Sequence, residues 1–311
     1  MDRDGSIRIG IVTGTAAPSL TDDGVALRGA LEQRGYEADP VVWSDAVDWS
    51  GFDVLLVRSC WEYHEDADRF LSWLDTVERR CDVVINDPEI VRWNIHKSYL
   101  RDLADAGVAV APTAYVDAGS DVDLADVADR HGWSDVVVKP AVGTSSVGVW
   151  RTAAPGSPDA RRRFRDARRT GDLLVQQFLP QIDEGEFSFV FFAGEFSHAT
   201  RSVPADGEFR AHHIYGGTAG PYDPDGSLVS QARTALSAAA DVCSVDPTAF
   251  VYARVDGVAT ADTFRLLELE LIEPYLGLTR SEGVVDRFAD AITDVITDAI
   301  ACETSQAVTP R

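Results

Sequence analysis

Lysine is nearly missing from this sequence. Of 311 residues, 28 are lysine or arginine, and only Lys97 and Lys139 are lysines. A chain that uses the planar guanidinium fork almost everywhere but keeps a compact ammonium at two positions marks those positions as places that need a point charge. GC-rich coding also thins out lysine, so the two positions need support from their surroundings. Positive charge is scarce overall, since 51 acidic residues set the formal net charge at −23. A surface of that sign repels nucleic acid and anionic lipid, and neither is an expected partner. The acids are spread along the chain, as in a halophile-like protein whose self-repulsion is screened by salt. Four cysteines, Cys60, Cys81, Cys243 and Cys302, show no C-x-x-C spacing, so neither a disulfide framework nor a zinc site is expected. No apolar run approaches the ~18 residues of a membrane helix. The opening MDRDGSIRIGIVTG has no basic-then-apolar leader pattern, and a cytoplasmic protein is expected.

Lys139 stands in the most informative stretch, VVVKPAVGTSSVGVWR from Val136 to Arg151. It reads as a β-branched strand, a loop of small residues (Gly143, Thr144, Ser145, Ser146), and a second predicted strand, Val147-Gly148-Val149-Trp150. A loop with so little side-chain bulk lets backbone N–H groups approach an anion, and the lysine before it adds charge for phosphate oxygens. Gly/Ser turns between strands are common and most hold nothing. Coincidence with one of only two lysines makes this loop a candidate lid over a nucleotide.

Upstream, strands over 7–12, 41–43, 54–57 and 83–85 with helices over 22–34 and 66–80 predict a small α/β sheet ending near Asn86-Asp87-Pro88. Thr13-Gly14-Thr15 is not followed by G-x-G-x-x-G, which excludes a dinucleotide site there. Arg58, Trp61 and Tyr63 follow the third strand, at the edge where open α/β sheets take ligands, and are candidate substrate residues. An interdomain packing cluster is the equal alternative. Residues 92–106 are predicted to be one helix carrying Lys97 and stopping at Gly107. The arginine run over 161–169 is expected to be a solvated helix face. A buried strand over 173–180, a hairpin over 186–203, an alanine-rich helix over 227–240 and a helical apolar pattern from Val284 to Ile300 complete the reading.

Near the end, ARVDGV and LLELELIEP read as neighbouring strands, Thr248 to Val258 and Phe264 to Ile272. Period-2 alternation puts Glu268 and Glu270 on one face and Leu267, Leu269 and Leu271 on the other. With Asp256 on the same side, three carboxylates converge, which is costly unless cations occupy the cluster, and all-oxygen donors select a hard metal such as Mg²⁺.

In this order, these elements resemble the ATP-grasp superfamily, in the branch of carboxylate–amine ligases akin to glutathione synthetase, RimK-type ligases and D-alanine–D-alanine ligase. The resemblance implies an α/β (α+β) fold: an N-terminal α/β domain over 1–94, ATP-grasp subdomains over 95–171 and 172–303 that clamp the nucleotide, and a tail over 304–311. It implies ATP with Mg²⁺, Mn²⁺ being an alternative. Lys97 and Lys139 would contact the phosphates, with Gly143, Thr144, Ser145, Ser146 and Gly148 as the loop. Gln176, Gln177 and Leu179 would read adenine, and Glu186, with Glu184 as alternative, the ribose. Asp256, Glu268 and Glu270 would hold metal, while Arg254, Arg210 and Lys139 steady the transferring group. Gly207-Glu208-Phe209-Arg210 followed by Gly216-Gly217 resembles the RimK-type phosphate and substrate loop, with Gly216, Gly217 and the intervening His213 as candidate substrate residues. Where many members have Glu-x-Asn then Ser-Pro-Gly, this chain has Glu-x-Glu then Ile-Glu-Pro. The cluster at 58–63 locally resembles the first domain of the cyclo-ligase that closes O-ureidoserine to cycloserine. The implied activity is ATP-dependent joining of a small carboxylate to an amine. A kinase acting on a hydroxyl and a non-catalytic ATP-binding protein are the rivals, and a homodimer is compatible with the chain.

Overall fold

The computed structural model describes residues 6–261 and 263–307, with the backbone alone for 302–307. The first unit alternates β1 (Arg8–Thr13), α1 (Asp22–Gln33), β2 (Glu37–Val42), β3 (Val54–Ser59), α2 (Ala67–Glu78) and β4 (Val83–Ile85). Its four strands are parallel, in the order β2-β1-β3-β4. β3 is buried at every position, as expected for a parallel strand covered on both faces. Its carboxyl end delivers the short turn Trp61–Glu65 to the ligand-binding edge of the sheet.

Two helices, α3 (Pro88–Asn94) and α4 (Tyr99–Asp105), replace the single helix predicted over 92–106. The Lys97 N–H donates to the Ala141 carbonyl at 2.8 Å instead of to its own helix, so the chain breaks at the lysine. The second unit contains β5 (Thr113–Val116), β6 (Val136–Pro140), β7 (Trp150–Thr152) and β8 (Leu173–Gln177), antiparallel and ordered β5-β8-β6-β7. α5 (Leu124–His131) and α6 (Pro158–Ala167) share its core through Leu124, Val127 and Phe164. α6 carries most of the arginine run on an exposed face, as predicted.

The third unit contains β9 (Glu186–Phe192), β10 (Glu195–Val203), β11 (Thr218–Tyr222), β12 (Tyr252–Ala259) and β13 (Phe264–Glu270), ordered β11-β10-β9-β12-β13. Alternation along β9 sends Phe187, Phe189 and Phe191 into a core with α7 (Gly226–Cys243), leaving Glu186, Ser188 and Val190 for the opposite face.

Three expectations change. β8 lies between β5 and β6, so the break expected at 171/172 falls after residue 177, because a buried strand goes where its backbone is paired. Tyr99, Leu100 and Leu103 share a core with Phe189, Leu236 and Leu269, so the helix at 99–105 packs with the third unit and not, as expected, with the second. Residues 147 and 148 form a turn, and extended structure resumes only at Trp150.

α8 (Val284–Ala307) returns the chain to its start: Phe288, Ile292 and Ile296 share a core with Ile9, Ile11, Leu27 and Leu31. It runs through Ala307 into the expected tail, while residues 308–311 lie outside those described. Asn86 ties the first unit to the third, its Nδ2 donating to the Tyr252 and Leu271 carbonyls at 2.8 Å each. Among the described residues no helix is long and apolar enough to cross a membrane.

Phe288 is fully buried and stacked on Phe192 with ring centroids 4.7 Å apart. Phe288→Ala should therefore destabilise the protein by about 3–5 kcal/mol in urea unfolding. A loss below about 1 kcal/mol would detach α8 from this core.

Candidate active site

A cavity of about 950 Å³ opens between the three units. β9, β12 and β13 supply its floor, the loop after β6 its cover, β8 its inner end, and the turn after β3 its outer wall.

The floor is a grid of charge. In the β12–β13 register Arg254 faces Glu270 and Asp256 faces Glu268, while Asp256 also faces Ser188 of β9. Side chains opposite one another on adjacent strands share a face, which brings Glu186 to the same side two residues along from Ser188. Arg254 grips Asp256 in a fork (Nε to Oδ1 2.9 Å, Nη2 to Oδ2 2.8 Å) and also contacts Glu270. Lys97 Nζ reaches Glu268 at 2.8 Å and donates to the Gly143 carbonyl at 2.6 Å. Lys139 Nζ donates to the Leu267 carbonyl at 3.3 Å. A register shift between Asp256 and Gly257 departs from the predicted alternation: Leu266 enters the core and Leu267 lines the cavity. Gly257 is required there, since a Cβ would lie 2.3 Å from the Arg265 carbonyl oxygen.

The charges perturb one another. Burial and then the neighbouring Asp256 push the Glu186 carboxyl up to about 8, while burial outweighs Arg254 and pushes Glu270 up to about 7. Burial works to raise Glu268 too, but Lys97 and Lys139 hold it below the usual carboxylate range. Burial pulls Lys139 down, whereas at Lys97 the attraction of Glu268 overrides burial and leaves the ammonium above its ordinary value. Acids thus outnumber cations.

That excess bears on the metal. Among the described residues no three His, Cys, Asp or Glu groups gather closely enough to grip an ion, so the predicted convergence of three carboxylates is not met. The reason is Arg254, which lies against both Asp256 and Glu270, and Lys97, which holds Glu268. The donors nevertheless fit a hard cation: they are all oxygen, they share one face, and burial that pushes the Glu270 carboxyl up would be offset by added positive charge.

At the inner end, Gln176, Gln177 and Leu179 line the cavity, with Gln176 Nε2 donating to Thr113 Oγ1 at 2.9 Å. Glu186 lines it and Glu184 does not. Gly143, Thr144, Ser145 and Ser146 form the cover, with left-handed backbone at Ser145 (φ 51°) and Ser146 (φ 57°). The cover is docked on both sides: Thr144 Oγ1 donates to the Trp61 carbonyl at 2.6 Å, and Tyr215 OH to the Ser146 carbonyl at 3.3 Å. Gly148 is a correction, since it turns the chain (φ 76°) against Pro140 and does not face the cavity.

Arg210 and His213 line the cavity, Arg210 clamped by Glu208 at 2.7 Å and its guanidinium 3.5 Å from the Tyr215 ring centroid. Beside them His212 is lowered to about 4 by burial and by His213 and Arg254. Gly217 faces the cavity and Gly216 does not. Trp61 and Tyr63 also line it, but Arg58 is a correction. Its guanidinium is buried over the Tyr252 ring at 4.7 Å, with Nη2 donating to the Pro274 carbonyl at 2.7 Å, away from the cleft. Sequence reasoning missed Glu273, a buried carboxyl on the cavity wall whose pKa is raised well above the usual range by burial and Glu270. The unusual Ile-Glu-Pro after the paired glutamates was its signal.

Comparison with known proteins decides the family. Residues 9–86 match the family described as D-cycloserine synthetase DcsG, N-terminal domain, and residues 108–227 that described as prokaryotic glutathione synthetase, ATP-grasp domain. The cycloserine biosynthesis protein DcsG of Streptomyces lavendulae is 33% identical over 297 residues, 92% of this chain and 98% of that protein. The chain belongs to the ATP-grasp ligases. A crystal structure of D-cycloserine synthetase DcsG matches the ligase with TM-score 0.83 at 32% identity, covering 92% of this chain and 99% of the other. A glutathione synthetase from Parasynechococcus marenigrum is 31% identical over 173 residues, 55% of this chain and 53% of that protein. D-alanine–D-alanine ligase from Bacillus anthracis complexed with ATP shares the fold, with TM-score 0.68 at 15% identity over 97% and 100% of the two chains. The expected ATP-grasp architecture is borne out, the ligase is an ADP-forming enzyme, and the likeness expected only locally at 58–63 extends along most of the chain.

Thr144→Ala removes one of the hydrogen bonds that dock the cover, that to the Trp61 carbonyl. Losing a hydrogen bond of about 1 kcal/mol should speed limited proteolysis within 141–149 roughly fivefold. An unchanged cleavage rate would show that the Trp61 contact does not hold the loop.

Proposed function

We propose that the ligase uses ATP and Mg²⁺ to activate a small-molecule carboxylate as an acyl-phosphate, which a nitrogen nucleophile captures to form a C–N bond. One observation carries this reading: Lys97, Lys139 and Arg254 meet Glu186, Asp256, Glu268 and Glu270 in a single cleft under a cover of small residues. Asp256, Glu268 and Glu270 would hold Mg²⁺, or Mn²⁺, which when bound supplies positive charge against the phosphate oxygens. Lys97 and Lys139 offset the remaining phosphate charge, Gln176, Gln177 and Leu179 receive the adenine, and Glu186 the ribose. Arg254 and Arg210 steady the phosphoryl group as a carboxylate oxygen bonds to phosphorus and ADP departs. Nitrogen then bonds to the acyl carbon, phosphate leaves and the nitrogen loses a proton. The docked cover keeps water from the acyl-phosphate in the interval.

A more specific form, in which the nucleophile belongs to the same molecule and the product is a ring, is favoured by the similarity to the cycloserine biosynthesis protein over 92% of this chain.

Calorimetry with ATP and MgCl₂ in high-salt buffer should give saturable binding, and ADP release should depend on an added carboxylate. Glu270→Gln removes charge without changing volume, and should cut turnover at least about 100-fold, equivalent to ~2.7 kcal/mol on the barrier, with the fold intact by circular dichroism. Turnover within about tenfold would remove Glu270 from the metal-holding set. ADP formed together with a stable phosphate ester would instead identify a kinase.

A further inference from the structure

β13 ends the third sheet, and its outer edge presents N–H and C=O groups that no further strand of that sheet receives. The row is nevertheless filled. Leu266 exchanges main-chain bonds with Ala109 and Ala111, and from Leu269 onward buried side chains take over. Tyr99 OH accepts from the Leu269 N–H at 3.0 Å. The Asn94 carboxamide bonds twice, Nδ2 donating to the Leu269 carbonyl and Oδ1 accepting from the Leu271 N–H, both at 2.9 Å. Asn86 closes the row at the Leu271 carbonyl.

The two bonds of Asn94 fall on the peptide groups that flank Glu270. A primary amide carries the same donor and acceptor as a peptide, so Asn94 occupies the place of a neighbouring strand, and a flipped amide would lose both bonds. A true strand there would continue the sheet. Asn94 instead ends α3, and the chain delivers Lys97 three residues later, its ammonium 2.8 Å from Glu268 and 2.6 Å from the Gly143 carbonyl. One short segment therefore grips the backbone around Glu270 and supplies the lysine that meets Glu268 and the cover. The Glu270 side chain makes its own contact with Arg254 on the opposite strand, so its tie to the Lys97 segment runs through the backbone.

We propose that Asn94 is a positioning residue of the ligase: by holding the peptides on either side of Glu270, it fixes that carboxylate relative to Lys97 and so sets the separation between metal-holding and phosphate-binding groups. This rests on the reading of Glu270 as a metal-holding residue.

Electron paramagnetic resonance of free Mn²⁺, titrated into the full chain with AMPPNP, reads affinity without turnover. Asn94→Ala should weaken Mn²⁺ binding at least about tenfold, the usual cost of removing a group that orients a metal ligand. In a Glu270→Gln background the same substitution should cost less than about twofold, because the carboxylate through which Asn94 acts is gone. Equal losses in the two backgrounds would make Asn94 a packing residue and overturn the proposal. Tyr99→Phe strips the same strand edge of a bond on the Glu268 side and controls for general loosening. It should leave Mn²⁺ affinity nearly unchanged, and a loss as large as that of Asn94→Ala would overturn a specific role for Asn94. If Asn94→Ala does not fold by circular dichroism, Asn94→Ser, which keeps a hydroxyl at the strand edge, takes its place in the cycle. A wild type that binds no Mn²⁺, or whose affinity Glu270→Gln leaves unchanged, would overturn the metal-holding reading. The crystal structure of the position-94 variant then decides the positioning by itself: the Glu270 carboxylate should move relative to Lys97 by about 1 Å or more, a displacement large enough to matter for chemistry, and an unmoved carboxylate would overturn the proposal.

Discussion

Charges removed from water must be paired, and the floor of this cleft is where that requirement presses hardest. Arg254 lies between Asp256 and Glu270, and Lys97 reaches Glu268 from the break between two short helices. Removing one member of such a set leaves its partner buried and uncompensated, a cost of several kcal/mol. Much of the fold follows from bringing these groups together. A continuous helix at 92–106 would spend the Lys97 N–H on its own ladder, whereas the break gives that N–H to Ala141 and the ammonium to Glu268 and Gly143. The β12–β13 register then sets arginine opposite one acid and aspartate opposite another on a single face.

Because this network was still short of positive charge, the same arrangement accounts for chemistry as well as stability. A fully neutralised floor would have nothing to offer a divalent cation or a phosphate. Here Glu186 and Glu270 remain reluctant to ionise while Lys139 is pulled down by burial, so the cleft holds unspent attraction of both signs.

The order of elements was legible in the sequence because apolar periodicity and turn residues are local signals. β9 shows it well: Glu-Phe-Ser-Phe-Val-Phe-Phe separates cavity face from core by simple alternation. The two lysines were legible for a different reason, scarcity. What escaped was decided over long distances. Nothing local says that residues 173–177 insert between strands that begin at 113 and 136, or that Leu266 and not Leu267 turns inward. Arg58 was misplaced because an arginine at a strand's carboxyl end reads as a ligand contact until Tyr252, Phe288 and Pro274, all far along the chain, are seen around it. Glu273 was missed through the same blindness, since only the fold brings it beside Trp61 and Tyr63.

The grip of the first unit on residues 273 and 274 is through carbonyl oxygens, which every amino acid carries. An anchor of that kind cannot tell which side chain stands at 273, so the anchor and the residue it displays can change independently. Substitutions there would keep the wall in place while altering what it presents to the cavity, with no matching change in the domain that holds it.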